Sequence, residues 1–243
     1  MEKAQAAVPA QKSRGGAFQE NIKTAKKAAR ANACLLLKGL SAAEREEQSQ
    51  KAAASFLNSS IYKSSDCVAA FFSLADEVDV LPIIARAFID KKRVLLPRIV
   101  AGSNAMDFYE LAAPLGLASD FSAAPVLGVE SVSDNAAPVL QTLFAQTDVN
   151  AWGIREPLAT LPLVSKEKIP ARTAILVPGL AFCKDGRRLG RGKGFYDRYL
   201  SELVAQNAAF AERGKICGYC MAVQVADNVP TEENDVRVQA LFC

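Results

Sequence analysis

Two runs of the chain, CVAAFF at 67–72 and AILVP at 174–178, carry no polar side chain at any position. A strand with one wet face alternates apolar and polar residues; a run this uniform has to be covered on both faces. Sheets of that kind are built with parallel strands joined by helical crossovers, and segments with helical spacing do flank these runs. Ile22, Ala25, Ala29, Leu36 and Leu40 recur at helical intervals, and Gly39 suits the end of that helix. Ser41 and Glu44 have the spacing of a capping box and open a second helix. Asp79 stands where it can cap a third, over VLPIIARAFID. KRVLLP at 92–97 and MDFYEL at 106–111 read as strands, FYDRYLSELVAQNAAF as a helix, and KICGYCMAV and VRVQALF as closing strands. Residues 112–150 have weak periodicity and are expected to be irregular or an insertion. The expected class is α/β, a three-layer α/β/α sandwich with a mostly parallel central sheet. Residues 1–20 are expected to form a flexible extension and 21–243 one domain.

In such sheets ligands collect beyond the carboxyl ends of the strands. Three polar clusters fall there: SLADE after the first strand, PRIVAGSN after the next, and GLAFCKDGRRLGRGKG after AILVP. Charge is concentrated in the last of these. The chain has 29 Lys and Arg against 26 Asp and Glu, and six of the bases but only two of the acids lie within 184–198. The basicity is therefore local, which suits one anionic ligand better than a basic coat.

Several function classes drop out. There is no histidine, which removes imidazole bases, His-based triads and most zinc sites. No uncharged apolar run reaches membrane-spanning length, and the N-terminal residues lack the apolar core of a secretory signal. Six cysteines in a chain of this size are not a disulfide scaffold, so a reducing cytoplasmic setting is expected. Cys217 and Cys220 form a C-x-x-C, but on a strand an odd spacing sends the two thiols to opposite faces. A structural role is expected for them.

The glycine-rich loop lies between a strand and a helix. Gly190, Gly192 and Gly194 can turn backbone amides toward phosphate oxygens, and the helix starting near Tyr196 adds its positive end. Arg188, Arg191 and Lys193 can neutralise a polyphosphate, while Arg187, ahead of the tight run, is expected to be solvated. The spacing is that of neither a Walker A loop nor a dinucleotide fingerprint. Asp197, on the first turn of the helix, can hold Mg²⁺ beside the phosphates; helix-dipole pairing or an ion pair with Arg198 serves equally well. Asp235, Glu77, and the pair Lys26 and Arg30 one helical turn apart, are read on their own as surface charges.

VPGLAF followed by GRRLGRGKGFYDRYL resembles the signature of the 5-formyltetrahydrofolate cyclo-ligase family. KKAAR, SAAEREEQS, FFSLADEVDV, LLPR, MDFYEL, WGIREP and PTEENDV support the likeness in the same order along the chain. The resemblance implies a three-layer fold shared with sugar-phosphate isomerases and CoA transferases. It also implies an ATP- and Mg²⁺-dependent monomeric enzyme that converts 5-formyltetrahydrofolate, with or without a polyglutamate tail, to 5,10-methenyltetrahydrofolate. By the same likeness Lys26 and Arg30 reach ATP, as do Arg188, Leu189, Gly190, Arg191, Gly192, Lys193, Gly194, Phe195 and Tyr196. Arg188 and Lys193 act on the transferring phosphoryl group. Phe72, Glu77 and Trp152 join Arg191, Gly192, Lys193, Gly194 and Phe195 around the folate, and Asp197 and Asp235 hold the metal. Phe195 stands where the family usually has Tyr, and Asn234 where many members have His. The competing expectations are a sugar-phosphate isomerase or CoA-transferase-like enzyme, and a nucleic-acid binder using the 184–198 loop.

Overall fold

The computed structural model describes residues 13–114, 133–151 and 153–243, with the side chains of 13–20 and 133–138 excepted. In chain order its elements begin with α1 (Ser13–Gly39), α2 (Ala42–Asn58), the short α3 (Ser60–Ser64) and β1 (Cys67–Ala69). Then come α4 (Leu81–Ile89), β2 (Arg93–Ile99), β3 (Met106–Glu110), α5 (Ser133–Ala145), β4 (Thr147–Val149), β5 (Arg155–Pro157) and β6 (Leu163–Val164). β7 (Thr173–Val177), β8 (Ala181–Phe182), β9 (Arg188–Leu189), α6 (Phe195–Gln206), α7 (Ala208–Arg213), β10 (Lys215–Tyr219) and β11 (Ala240–Phe242) complete the chain.

Seven strands form the central sheet in the order β11-β10-β7-β1-β2-β3-β6. The pairings from β11 through to β2 are parallel, and β3 runs antiparallel to both of its neighbours. Every residue of β1 and β7 is buried, as their unbroken apolar character requires. Their side chains divide between two cores. Val68, Ala174 and Leu176 face the layer of Leu37, Phe56 and Ile84, whereas Cys67, Ile175 and Val177 face Leu200, Leu203 and Phe210. The three-layer expectation is met. Fully burying one such Leu or Phe contributes roughly 1.5–3 kcal/mol, so the two cores dominate the stability of the sandwich.

The Ser41–Glu44 capping box forms, and Asp79 Oδ1 accepts from Leu81 N at 2.9 Å at the start of α4. Five details differ from the sequence reading. Residues 13–20, expected to belong to a flexible extension, form the first turns of α1. Ser133–Ala145 is helical, so part of the stretch expected to be irregular has regular structure. The last long helix breaks at Asn207, whose Nδ2 donates to Lys166 O and Ile169 O while its Oδ1 caps Phe210 N. β11 is shorter than its apolar pattern predicts, because Val236 N and Val238 N bond instead to Asp197 Oδ1 and Gly186 O. The long outgoing loop contains a small hairpin of β8 and β9.

Cys217 and Cys220 point to opposite cores, as their spacing predicts, and burial pushes the Cys217 thiol up to about 12. Pro97 marks where the sheet opens. Leu95 O still accepts from Ala70 N, but β1 then leaves the sheet, so the missing N–H of Pro97 costs no ladder bond. Beyond that point lies a pocket.

Candidate active site

The pocket has a volume of about 440 Å³, within the range of small-molecule sites. Its walls come from the chain just after β1 (Phe71, Phe72, Leu74, Glu77), the end of β2 (Pro97, Ile99) and the chain after β7 (Pro178, Gly179). α1, the glycine-rich loop with the first turn of α6, and the 232–235 segment before β11 complete it. Polar clusters some 100 residues apart in the chain thus meet at the carboxyl ends of the parallel strands.

Lys26 and Arg30, one turn apart on α1, both enter the pocket. Arg30 Nε donates to Gly190 O at 3.0 Å, and its guanidinium lies against Gly192. Lys26 Nζ bonds to Asp235 Oδ2 at 2.6 Å and Glu232 Oε2 at 2.8 Å. Burial alone would lower the pKa of that ammonium; the bonds to the two carboxylates outweigh it and hold the pKa above the ordinary lysine value. The loop itself bends through left-handed backbone at Gly192 (φ 97°) and Gly194 (φ 69°), and Gly194 is the N-cap of α6. Only glycine adopts such angles freely, so the loop's course is set by these two residues.

Arg188 is buried, with Nη2 on Asp197 Oδ1 at 2.6 Å and Nη1 on Pro178 O at 3.2 Å. Asp197 therefore pairs with Arg188 and not with Arg198, which turns to Asn104 O and Lys193 O. Arg191 reaches across to Asp76 and Glu77, at 2.6 and 3.1 Å. Burial raises the pKa of the Glu77 carboxyl, against the opposing pull of Leu74 N and Arg191. The Lys193 side chain lines the pocket and has no hydrogen bond or ion pair among the described residues. Arg187 is not solvated as expected. It binds Asp185, Asn228 Oδ1 and Val229 O, tying the hairpin to the chain that follows β10.

Two buried donors in the pocket wall, Arg188 Nε and Tyr196 Oη, lack a partner among the described residues. Unpaired groups of this kind suit a polar ligand. Val236 N on Asp197 Oδ1 at 3.2 Å brings the segment carrying Asp235 against Asp197. Among the described residues there is no cluster of three or more His, Cys, Asp or Glu fit to hold a metal. Two carboxylates completed by phosphate and water oxygens is, however, the usual way in which proteins hold Mg²⁺, so the donor set fits that ion. Phe72, Glu77, Phe195, Tyr196 and Leu189 all line the pocket as expected, whereas Trp152 lies outside the described residues. Glu232, Asp76 and Arg155 were missed. Each is an ordinary surface charge by composition, and only tertiary contact reveals its place.

The family model of the 5-formyltetrahydrofolate cyclo-ligases matches residues 22–243. The chain belongs to that family. It is 29% identical to a mouse 5-formyltetrahydrofolate cyclo-ligase over 91% of its own length and 94% of the relative's. It is 28% identical to a probable 5-formyltetrahydrofolate cyclo-ligase of Caenorhabditis elegans, covering 85% and 86%. An Aquifex aeolicus 5,10-methenyltetrahydrofolate synthetase solved by NMR superposes with a TM-score of 0.62 at 26% identity, over 89% of this chain and 88% of that one. As a cyclo-ligase family member the chain is an enzyme of the ligase class, and its pocket is the candidate active site. No described helix is long and apolar enough to cross a membrane.

Proposed function

We propose that this enzyme converts 5-formyltetrahydrofolate and ATP to 5,10-methenyltetrahydrofolate, ADP and phosphate, as a cytoplasmic monomer. The observation that carries the reading is a pocket with two chemically different regions. One combines left-handed glycines with Lys26, Arg30, Arg188 and Lys193; the other is apolar, with Phe72, Pro97 and Ile99, and the Glu77 carboxylate, held by Arg191, lines the same pocket.

The formyl oxygen is a poor leaving group. Transfer of the γ-phosphoryl group of ATP to that oxygen breaks the terminal P–O bond of ATP and makes a formyl phosphate ester. N10 then attacks the formyl carbon and gives up its proton, which leaves with the phosphate, and departure of phosphate with the formyl oxygen completes the ring. Little acid–base machinery is required, in keeping with a chain that has no histidine. Phosphoryl transfer depends chiefly on alignment and charge neutralisation. In this reading Lys26 and Arg30 hold the polyphosphate from α1, and the amides around Gly190–Gly194 receive its oxygens. Arg188 and Lys193 neutralise the charge that develops on the transferring group. Glu77 accepts from pterin N–H donors, and Phe72 and Phe195 supply apolar walls. Asp197 and Asp235 would hold Mg²⁺, which would supply charge neutralisation at the phosphates. No residue of 1–20 is assigned a role in this chemistry.

Incubation with 5-formyltetrahydrofolate, ATP and Mg²⁺ should produce the near-ultraviolet absorbance of the methenyl product with matching release of ADP. Absence of both at saturating concentrations would overturn the reading.

A further inference from the structure

Arg155 is set apart from the other guanidinium groups in the pocket. Arg188 is compensated by Asp197 and Arg191 by Asp76 and Glu77, while Arg30 is bound to the glycine loop. Arg155 forms no ion pair among the described residues. Its guanidinium lies over the Phe144 ring at 4.8 Å and the Phe72 ring at 5.7 Å, and these two rings pack on each other at 6.3 Å. Among the described residues only Nη1 is engaged, donating to Thr147 O and Oγ1 at 3.4 and 3.3 Å.

The strand that carries it is firmly held. Glu156 is buried and its Oε1 accepts from Ile99 N at 2.9 Å, while Arg98 Nη1 donates to Pro157 O at 2.7 Å. β5 is thus fastened to the end of β2, and Arg155 is presented to the pocket on a fixed backbone over the Phe72–Phe144 pair. Stacking occupies the faces of a guanidinium and leaves its in-plane donors available. The Nε and Nη2 donors therefore form a preorganised, uncompensated fork, which matches a carboxylate with two oxygens.

We propose that Arg155 binds the α- or γ-carboxylate of the substrate's glutamate and so makes the enzyme selective for glutamate-bearing folates. This rests on the proposed function above. A folate is a pterin joined through an aminobenzoyl ring to a glutamate, an aromatic group followed by an acidic one. Phe72, which lines the pocket, and Arg155 beside it offer apolar surface and then a cation in the same sequence. The phosphate-binding region has cations of its own, so Arg155 is not needed for ATP.

The test compares 5-formyltetrahydrofolate with 5-formyltetrahydropteroate, which lacks the glutamate, on the wild-type enzyme, Arg155→Met and Arg155→Lys. A charge-assisted hydrogen bond is worth enough that the wild type should favour the glutamate-bearing substrate roughly ten- to a hundredfold in kcat/KM. Arg155→Met should lose that preference through KM, with kcat, the KM for ATP and the pteroate kinetics unchanged; Arg155→Lys should restore part of it. Equal losses on both substrates, a rise in the KM for ATP, or a preference that survives in Arg155→Met would each overturn the assignment. Calorimetric titration with the same two compounds measures the preference without turnover. Binding selectivity that depends on Arg155 in a protein making no product would refute the cyclo-ligase reading and leave this one standing.

Discussion

Gly186 and Gly102 allow a steric contact to be separated from a backbone preference. Both have positive φ, 88° and 73°. A Cβ added at Gly102 meets nothing within 4 Å, whereas one added at Gly186 would stand well inside 3.0 Å of the Val238 carbonyl oxygen. That oxygen belongs to backbone and cannot swing aside. Gly102→Ala should therefore cost only the left-handed penalty, roughly 1–2 kcal/mol. Gly186→Ala should add an overpacking cost of roughly 1–3 kcal/mol to a similar penalty. In urea unfolding the two variants should keep the wild-type m-value, with Gly186→Ala less stable by at least about 1 kcal/mol. The substitution should also affect the site. Val238 N donates to Gly186 O at 2.9 Å, so this contact positions the segment carrying Asp235 against the hairpin carrying Arg188. Turnover, measured well below the melting temperature, should fall in Gly186→Ala and stay near wild type in Gly102→Ala. Equal stability losses, or unchanged turnover in Gly186→Ala, would refute the reasoning.

Lys193→Ala removes a side chain with no folded-state partner among the described residues. It should leave the melting temperature unchanged while lowering kcat by about 10²–10³, the usual cost of a lost transition-state contact; equal loss of both quantities would assign Lys193 to structure. Arg187→Ala, by contrast, should lower the melting temperature, because Arg187 ties Asp185, Asn228 and Val229 together, and unchanged melting would show those bonds to be dispensable. Asp197→Asn should weaken the Mg²⁺ dependence of turnover and cost about 1–3 kcal/mol of stability, since it leaves the buried Arg188 without its carboxylate; an unchanged magnesium titration would leave Asp197 as a structural partner of Arg188. The neighbouring Cys220 thiol holds the exposed Cys243 thiol below its ordinary range. Because the thiolate is the nucleophile, alkylation of Cys243 should set in at lower pH than for an ordinary thiol, and Cys220→Ala should move that rise toward the ordinary range. A profile that Cys220→Ala does not shift would exclude the thiol–thiol contact.

The parts of the fold legible in the sequence were those set by period and local chemistry. CVAAFF and AILVP required cover on both faces, and β1 and β7 have it. Ser41 and Glu44 specified their capping box because all of its atoms lie within four residues. Element ends were less legible where a distant group competes for a backbone donor. Val236 and Val238 have strand-like side chains, yet their N–H groups go to Asp197 and Gly186. Asn207 offered a helix-compatible position but is drawn to Lys166 and Ile169 across the fold.

The same limit governs the site. Glycines, cations and a helix start at the end of an apolar strand could be recognised locally, and Gly192 and Gly194 do adopt the backbone that only glycine takes freely. Charge pairing could not be recognised in this way, because Lys26 and Asp235 are 209 residues apart. These pairs explain how a partly buried pocket keeps so many ions. Removing a single charge from water is expensive, and a well-placed partner offsets most of that cost. Lys26 is offset by Asp235 and Glu232, Arg188 by Asp197, and Arg191 by Asp76 and Glu77. Lys193 and Arg155 have no such carboxylate among the described residues. Lys23 and Arg30 line the pocket without a carboxylate partner as well, so these four cations give up no ion pair when an anion arrives, while Lys26, Arg188 and Arg191 meet the ligand already oriented by their carboxylates.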